Sequence, residues 1–203
     1  MTNPAKVLVI NGSYRDDGIT DQAVEVTVEA LTESGANIEV INLRDYPIEF
    51  CLNCRECTQQ PGSSPGRCVL DDGMHELIGK IEASQAYVLA SPTNFSSVTA
   101  IFKRFMERLV AYAYWPWGNP YPKFRKQGLP QKRAMLISSS AAPSWMGRWL
   151  FGTGRQLDTA AKTIGAKSVG TLFTGLVSSE KHQRLSQKSM QRARALASRL
   201  ITA

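Results

Sequence analysis

Five short, almost wholly apolar runs alternate along this chain with segments of helical periodicity, and that alternation decides the architecture. The runs are Lys6–Asn11 (KVLVIN), Asn37–Leu43, Ala86–Ser91 (AYVLAS), Arg133–Ser139 and Lys167–Thr174. Strands that are apolar on both faces must be covered on both faces, which a parallel sheet with crossover helices provides. Right-handed crossovers restrict the topology further. The expected fold is an α/β flavodoxin-like three-layer α/β/α sandwich. Its five-stranded parallel sheet has order 2-1-3-4-5, with ligand bound at the carboxyl ends of strands 1 and 3.

The helical patterns fall between these runs. Thr20–Ser34 carries Ala23, Val24, Val28 and Leu31 on one side, with Thr20 or Asp21 as N-cap and Gly35 as the stop. Gly73–Glu82, with Asp71-Asp72 as its cap, Val98–Val110, Gly152–Ile164 and Glu180–Ile201 follow. Two stretches read as irregular: 44–72, which holds all four cysteines, and 112–131, rich in Pro, Gly and aromatics. At 203 residues, 1–203 reads as a single domain that buries roughly 70% of its unfolded surface.

The first strand leads into Gly12-Ser13-Tyr14-Arg15-Asp16-Asp17-Gly18-Ile19-Thr20. A strand, a short polar loop and a helix start make a cradle for an anion, because loop N–H groups, hydroxyls and the helix dipole all favour negative charge. The loop is neither GxxxxGK[ST] nor GxGxxG. Hydroxyls at both ends with one Arg suggest a phosphate monoester such as that of FMN. The loop after the third run, Ser91-Pro92-Thr93-Asn94-Phe95-Ser96-Ser97-Val98, should face it across the switch point. Its amides and one aromatic ring suit the edge and face of a flat heteroaromatic group. Ser138, Ser139 and Ser140 would add a third polar loop at the same edge.

Cys51, Cys54, Cys57 and Cys68 fall within eighteen residues as C-x2-C-x2-C-x10-C. Three thiolates two residues apart can converge on one soft metal centre, and a fourth can close it. Zinc and free, redox-active thiols remain alternatives. The net charge is +7. Lys181, Arg184, Lys188, Arg192 and Arg199 read as one solvated face of the last helix. No aromatics interleave with them, which argues against nucleic acid. No apolar run nears the ~20 residues of a membrane span, and the N-terminal residues carry no export-signal pattern, so a cytoplasmic location is expected. There is no GxSxG elbow beside either histidine, His75 or His182, which argues against a serine hydrolase.

GSYRDDGIT, the cysteine loop ending in CVLDDGM, and SPTNFSSVTAIFKRFMER together resemble the NADPH-dependent FMN reductase family, and within it the iron–sulfur flavoprotein branch. The resemblance covers Lys6–Arg108 well and the remainder in outline. It implies bound FMN, with hydride or electron transfer between NAD(P)H and a small-molecule acceptor such as a quinone or flavin, in a homodimer or homotetramer. Ser13, Arg15 and Thr20 would hold the FMN phosphate, with Gly18 and Ile19 beside them. Pro92, Thr93, Asn94, Phe95 and Ser96 would border the isoalloxazine or ribityl chain. The chain departs from the family at Ile19, where a polar residue is usual, at Tyr14, often Pro, and at Thr93-Asn94, where Val-Tyr is common. For the four cysteines the resemblance implies a [4Fe-4S] cluster, although the last gap is longer than usual. The aromatic stretch 112–131 is expected to bury against a neighbouring subunit and roof its flavin site, or else to form a satellite core.

Overall fold

The computed structural model describes residues 4–177 and 181–202. In chain order the elements are β1 (Lys6–Asn11), α1 (Ile19–Glu33), β2 (Asn37–Asn42), a 3-10 turn (Glu56–Thr58), α2 (Met74–Ala83), β3 (Ala86–Pro92), α3 (Ala100–Arg108) and a second 3-10 turn (Leu109–Tyr112). Then come β4 (Ala113–Tyr114), β5 (Lys123–Phe124), β6 (Lys132–Ser139), α4 (Ser144–Leu150), α5 (Thr153–Thr163), β7 (Ala166–Thr174) and α6 (Gln187–Ile201).

The main sheet has order β2-β1-β3-β6-β7, and all its pairs are parallel. Counting only these five strands, it is the expected 2-1-3-4-5 order of a flavodoxin-like fold. The two-residue period of a strand sends alternate side chains to opposite faces. Val7 and Val9 therefore join a core with α1 and α6, including Leu31, Leu196 and Leu200. Leu8 and Ile10 join a second core with α2, α3 and α5, including Leu77, Phe102 and Leu157. No helix among the described residues is long and apolar enough to cross a bilayer.

Three expectations are corrected. First, α6 begins at Gln187, with Ser186 Oγ accepting from Ser189 N at 3.3 Å, not at Glu180, which lies outside the described residues. The backbone before it is drawn away from a helical ladder by Gln22. That side chain donates to Gln183 O (3.1 Å) and accepts from Leu185 N (2.8 Å). Lys181 and Arg184 consequently precede α6 rather than sharing its face.

Second, α1 starts at Ile19 with Gly18 as N-cap and no side-chain cap. Thr20 and Asp21 lie inside the first turn, with their side chains committed elsewhere. Third, Ser144–Leu150 forms a helix that the sequence pattern did not signal, and 112–131 contains the β4–β5 ribbon. The N-cap of α2 is Gly73, which has no side-chain cap, and Asp72 Oδ1, one residue before it, accepts from Met74 N at 3.0 Å.

Candidate flavin cleft and cysteine site

Asn11, at the end of β1, ties the first loop down. Its Oδ1 accepts from Ser13 N (3.0 Å), and its Nδ2 donates to Asp21 Oδ1 (2.7 Å) and Asn42 Oδ1 (3.1 Å). Gly12 follows because its backbone lies against α3. A Cβ there would sit 2.8 Å from Phe102 Cβ, and Thr99 Oγ1 donates to Gly12 O at 2.7 Å. Tyr14 OH accepts from Ile101 N at 3.1 Å, which bridges the loop to the first turn of α3.

Above this loop lies a cleft of about 200 Å³. Of the residues expected from sequence, Ser13, Arg15, Gly18, Ile19, Thr20, Pro92, Asn94 and Ser139 line it. The helix N-terminus at Gly18 opens there without a side-chain cap, leaving first-turn N–H groups available to an acceptor. Thr20 Oγ1 and Ser139 Oγ share a hydrogen bond of 2.8 Å, so one of the two hydroxyls keeps a proton to donate. Ser13 Oγ is used within the loop, accepting from Arg15 N and donating to Arg15 O. The Arg15 guanidinium donates to Lys181 O.

Thr93, Phe95, Ser96, Ser138 and Ser140 do not line this cleft. Thr93 Oγ1 pairs with Thr153 Oγ1 (2.9 Å) and Ser138 Oγ (3.4 Å), and Ser140 Oγ donates to Ala142 O (3.0 Å). These hydroxyls knit β3, β6 and α5 together. Phe95 (φ +47°) and Ser96 (φ +61°) form the tip of a tight turn, closed by two hydrogen bonds between Asn94 and Ser97. A left-handed Phe is strained. Its ring is fully exposed at the sheet edge. Tyr14, Asp17, Val177 and Gln183 also line the cleft. Gln183 reaches it only because the chain before α6 folds back, which no local sequence signal announces.

The four cysteines are free thiols that line one small cavity of about 20 Å³. Left-handed Asn53 and Arg55 turn the chain between them. The long gap before Cys68 is closed by packing. Gly66 lies on the Cys57 carbonyl and donates to Ala111 O (2.8 Å). Buried Arg125 donates to Gly62 O, Cys57 O and Ala111 O. Arg108, also buried, pairs with Asp72 (2.6 Å) and donates to Cys68 Sγ (3.4 Å). Sequence reading missed both arginines, since a surface helix and a loop gave no sign that they would be buried. Arg55 is clasped between Trp115 and Trp117, 3.8 and 4.4 Å from the ring centroids. Part of the aromatic stretch thus packs on the cysteine loop.

Burial, with Cys68, Cys51 and Cys54 close by, pushes the Cys57 thiol up to about 11. Only about 1 in 1000 of such thiols is ionised at pH 8, against roughly a quarter for an ordinary one. Higher intrinsic nucleophilicity recovers part of the difference. In metal-free protein at pH 8, Cys57 should therefore be alkylated by iodoacetamide more than about tenfold slower than an exposed cysteine, as read by peptide mass spectrometry. An equal rate would show that the thiol is not held as described.

The donor set suits a soft metal group in kind and number. Among the described residues no three His, Cys, Asp or Glu side chains converge closely enough to hold a single ion.

Comparison with known proteins places this geometry. An iron-sulfur flavoprotein of Archaeoglobus fulgidus is 32% identical over 111 residues, covering 55% of this chain and 48% of that protein. A second from the same organism is 26% identical over 199 residues, covering 97% and 94%. The chain thus spans about half the length of the first and nearly all of the second. The NAD(P)H:quinone oxidoreductase structure from Methanothermobacter marburgensis superposes with a TM-score of 0.66 at 20% identity, covering 98% of this chain and 96% of that one. The family described as NADPH-dependent FMN reductase matches residues 5–169, and the chain belongs to that family.

Proposed function

We propose that this protein is an FMN-dependent NAD(P)H oxidoreductase that delivers electrons to a small-molecule acceptor such as a quinone or flavin. The observation that carries the reading is the cleft at the ends of β1, β3 and β6. There an uncapped helix start, Arg15 and the Thr20–Ser139 hydroxyl pair face one space. Its chemistry fits a phosphate monoester. Bound FMN would supply the redox chemistry, taking a hydride from NAD(P)H to leave NAD(P)+ and then passing two electrons on. The protein's part is to bind and orient. Gly18, Thr20 and Arg15 hold the phosphate end, and Pro92 and Asn94 border the ring.

The cysteine site is read as the seat of a [4Fe-4S] cluster. Two buried guanidiniums flank it, and Arg125 meets only carbonyl oxygens there. Positive charge buried in this way favours a group with net negative charge. A cluster takes one thiolate per iron, so its ligands stand farther apart than around a lone ion. Four free thiols also suit a reducing compartment such as the cytoplasm. The exposed Phe95, Trp145 and Trp149 suit a homo-oligomer; a monomer in sedimentation with FMN bound would overturn that part.

The test is an anaerobic absorption spectrum followed by NADPH titration. Flavin bands that bleach on addition are expected. A protein that does not take up FMN would refute the reading. Arg15→Ala should weaken FMN binding about 10-fold or more, measured by fluorescence quenching, because a charge-assisted contact is lost.

A further inference from the structure

The flavin cleft does not end at Val177. It opens into a second cleft of about 320 Å³ between the end of β7 and the start of α6, and Ile19, Val177 and Gln183 line both. Among the described residues the walls of the second cleft carry Arg184, Lys188 and Arg192 and no carboxylate. Ser186 and Ser189 add hydroxyls. Like charges gathered in one concavity repel one another and focus a positive potential into it. Arg184 also reaches Asp17 at 3.1 Å, but both side chains are exposed and such a pair exchanges readily for a better acceptor. Arg192 donates to Thr171 O at 3.2 Å, at the border with a neighbouring cleft that both residues line.

The junction of the two clefts holds a second sign of a missing ligand. Gln183 Oε1 is buried with no donor among the described residues. A buried acceptor of this kind calls for a partner, and a ribose hydroxyl would supply one.

We propose that this second cleft receives the adenosine end of the reduced nicotinamide coenzyme. Within it, Lys188 and Arg192 recognise the 2′-phosphate and so select NADPH over NADH. The inference rests on the oxidoreductase reading above. If the nicotinamide ring is to meet a flavin in the first cleft, the rest of the coenzyme extends beyond the residues that line it. The continuation that shares its wall is the cationic one. The two coenzymes differ by a single phosphate monoester, which carries nearly two negative charges at pH 7. Discrimination therefore needs cations where that group lies, and a cleft with three of them provides it.

The experiment compares kcat/KM for NADPH and NADH, with ferricyanide as acceptor, in the unaltered protein and in Lys188→Ala/Arg192→Ala. Neither residue lines the flavin cleft, and retained flavin absorbance reports that the variant is folded. The expected result is a fall of about 30-fold or more for NADPH and no more than about threefold for NADH. Arg199→Ala, on α6 outside the cleft, should leave the ratio of the two unchanged. Equal losses for both coenzymes, or an unchanged ratio in the double variant, would overturn the assignment. If the unaltered protein oxidises neither coenzyme, the oxidoreductase reading has failed on its own. The cleft is then judged by calorimetry with 2′,5′-ADP and 5′-AMP. Tighter binding of 2′,5′-ADP that is lost in the double variant upholds it, and no preference refutes it.

Discussion

Replacing Arg108 with Met lowers the unfolding free energy by about 3–5 kcal/mol. The side chains of Arg108 and Asp72 are only 1% and 8% exposed. Their two contacts are 2.6 and 3.0 Å, and the same guanidinium donates to Glu49 O at 2.8 Å. Met fills the space but leaves the buried Asp72 carboxylate without a counter-charge, held only by Glu49 N and Met74 N, and that uncompensated charge is the main cost. For a chain of this size the melting temperature of metal-free protein should fall by roughly 6–20 °C. The double variant Arg108→Met/Asp72→Leu should recover part of the loss, because the orphan charge is gone. A single-variant loss under about 1 kcal/mol would mean that the pair contributes no more than a surface one.

The pH dependence has a definite sign. Burial pushes the Asp72 carboxyl up, but hydrogen bonds from Arg108, Glu49 N and Met74 N outweigh it and hold the group below the ordinary carboxylate range. A carboxyl depressed in the folded state stabilises above its unfolded value, about 3.9. It loses that contribution as pH falls through the folded value. The difference in melting temperature between the unaltered protein and Arg108→Met should therefore be full at pH 7 and shrink below about pH 4.

The second large effect is expected at Gly66. A Cβ built there lies 1.7 Å from the Cys57 carbonyl oxygen, a backbone atom that cannot swing aside. Gly66→Ala should unseat the segment between Cys57 and Cys68 while leaving the sheet folded, because the two cores on either side of the sheet do not include this segment. Unseating breaks the Gly66 N–Ala111 O bond and loosens the carbonyls held by Arg125. Cys57 then meets solvent, and its alkylation at pH 8 should accelerate by more than about tenfold, towards the rate of an exposed cysteine. Unchanged far-UV circular dichroism would confirm that the effect is local. Slow alkylation retained in the variant would show that Gly66 does not close the loop.

The sheet was legible in the chain because buried parallel strands leave no choice of composition. KVLVIN and AYVLAS are apolar on both faces over Val7–Ile10 and Ala86–Ala90, and the right-handed crossover rule then orders the strands. The polar loop after β1 was legible for a similar reason. Strand, glycine, hydroxyls and helix start are consecutive in sequence, so local rules suffice. Boundaries set by capping were less visible. Thr20 looks like an N-cap, yet its hydroxyl is taken by Ser139, 119 residues away.

What only the tertiary structure decided was which polar side chains face the cleft and which hold the fold together. Ser138, Ser140 and Thr93 carry the same hydroxyls as Ser139 and Thr20, but they do not line the cleft and bond to one another, to Thr153 and to the Ala142 carbonyl instead. Gln183 joins the cleft because Gln22 captures the chain before α6. The C-x2-C-x2-C-x10-C spacing states that four thiols can meet. That they do so across a ten-residue gap depends on Gly66, Arg125 and Arg108. Burial of those guanidiniums is a property of long-range packing, on which sequence spacing carries no information.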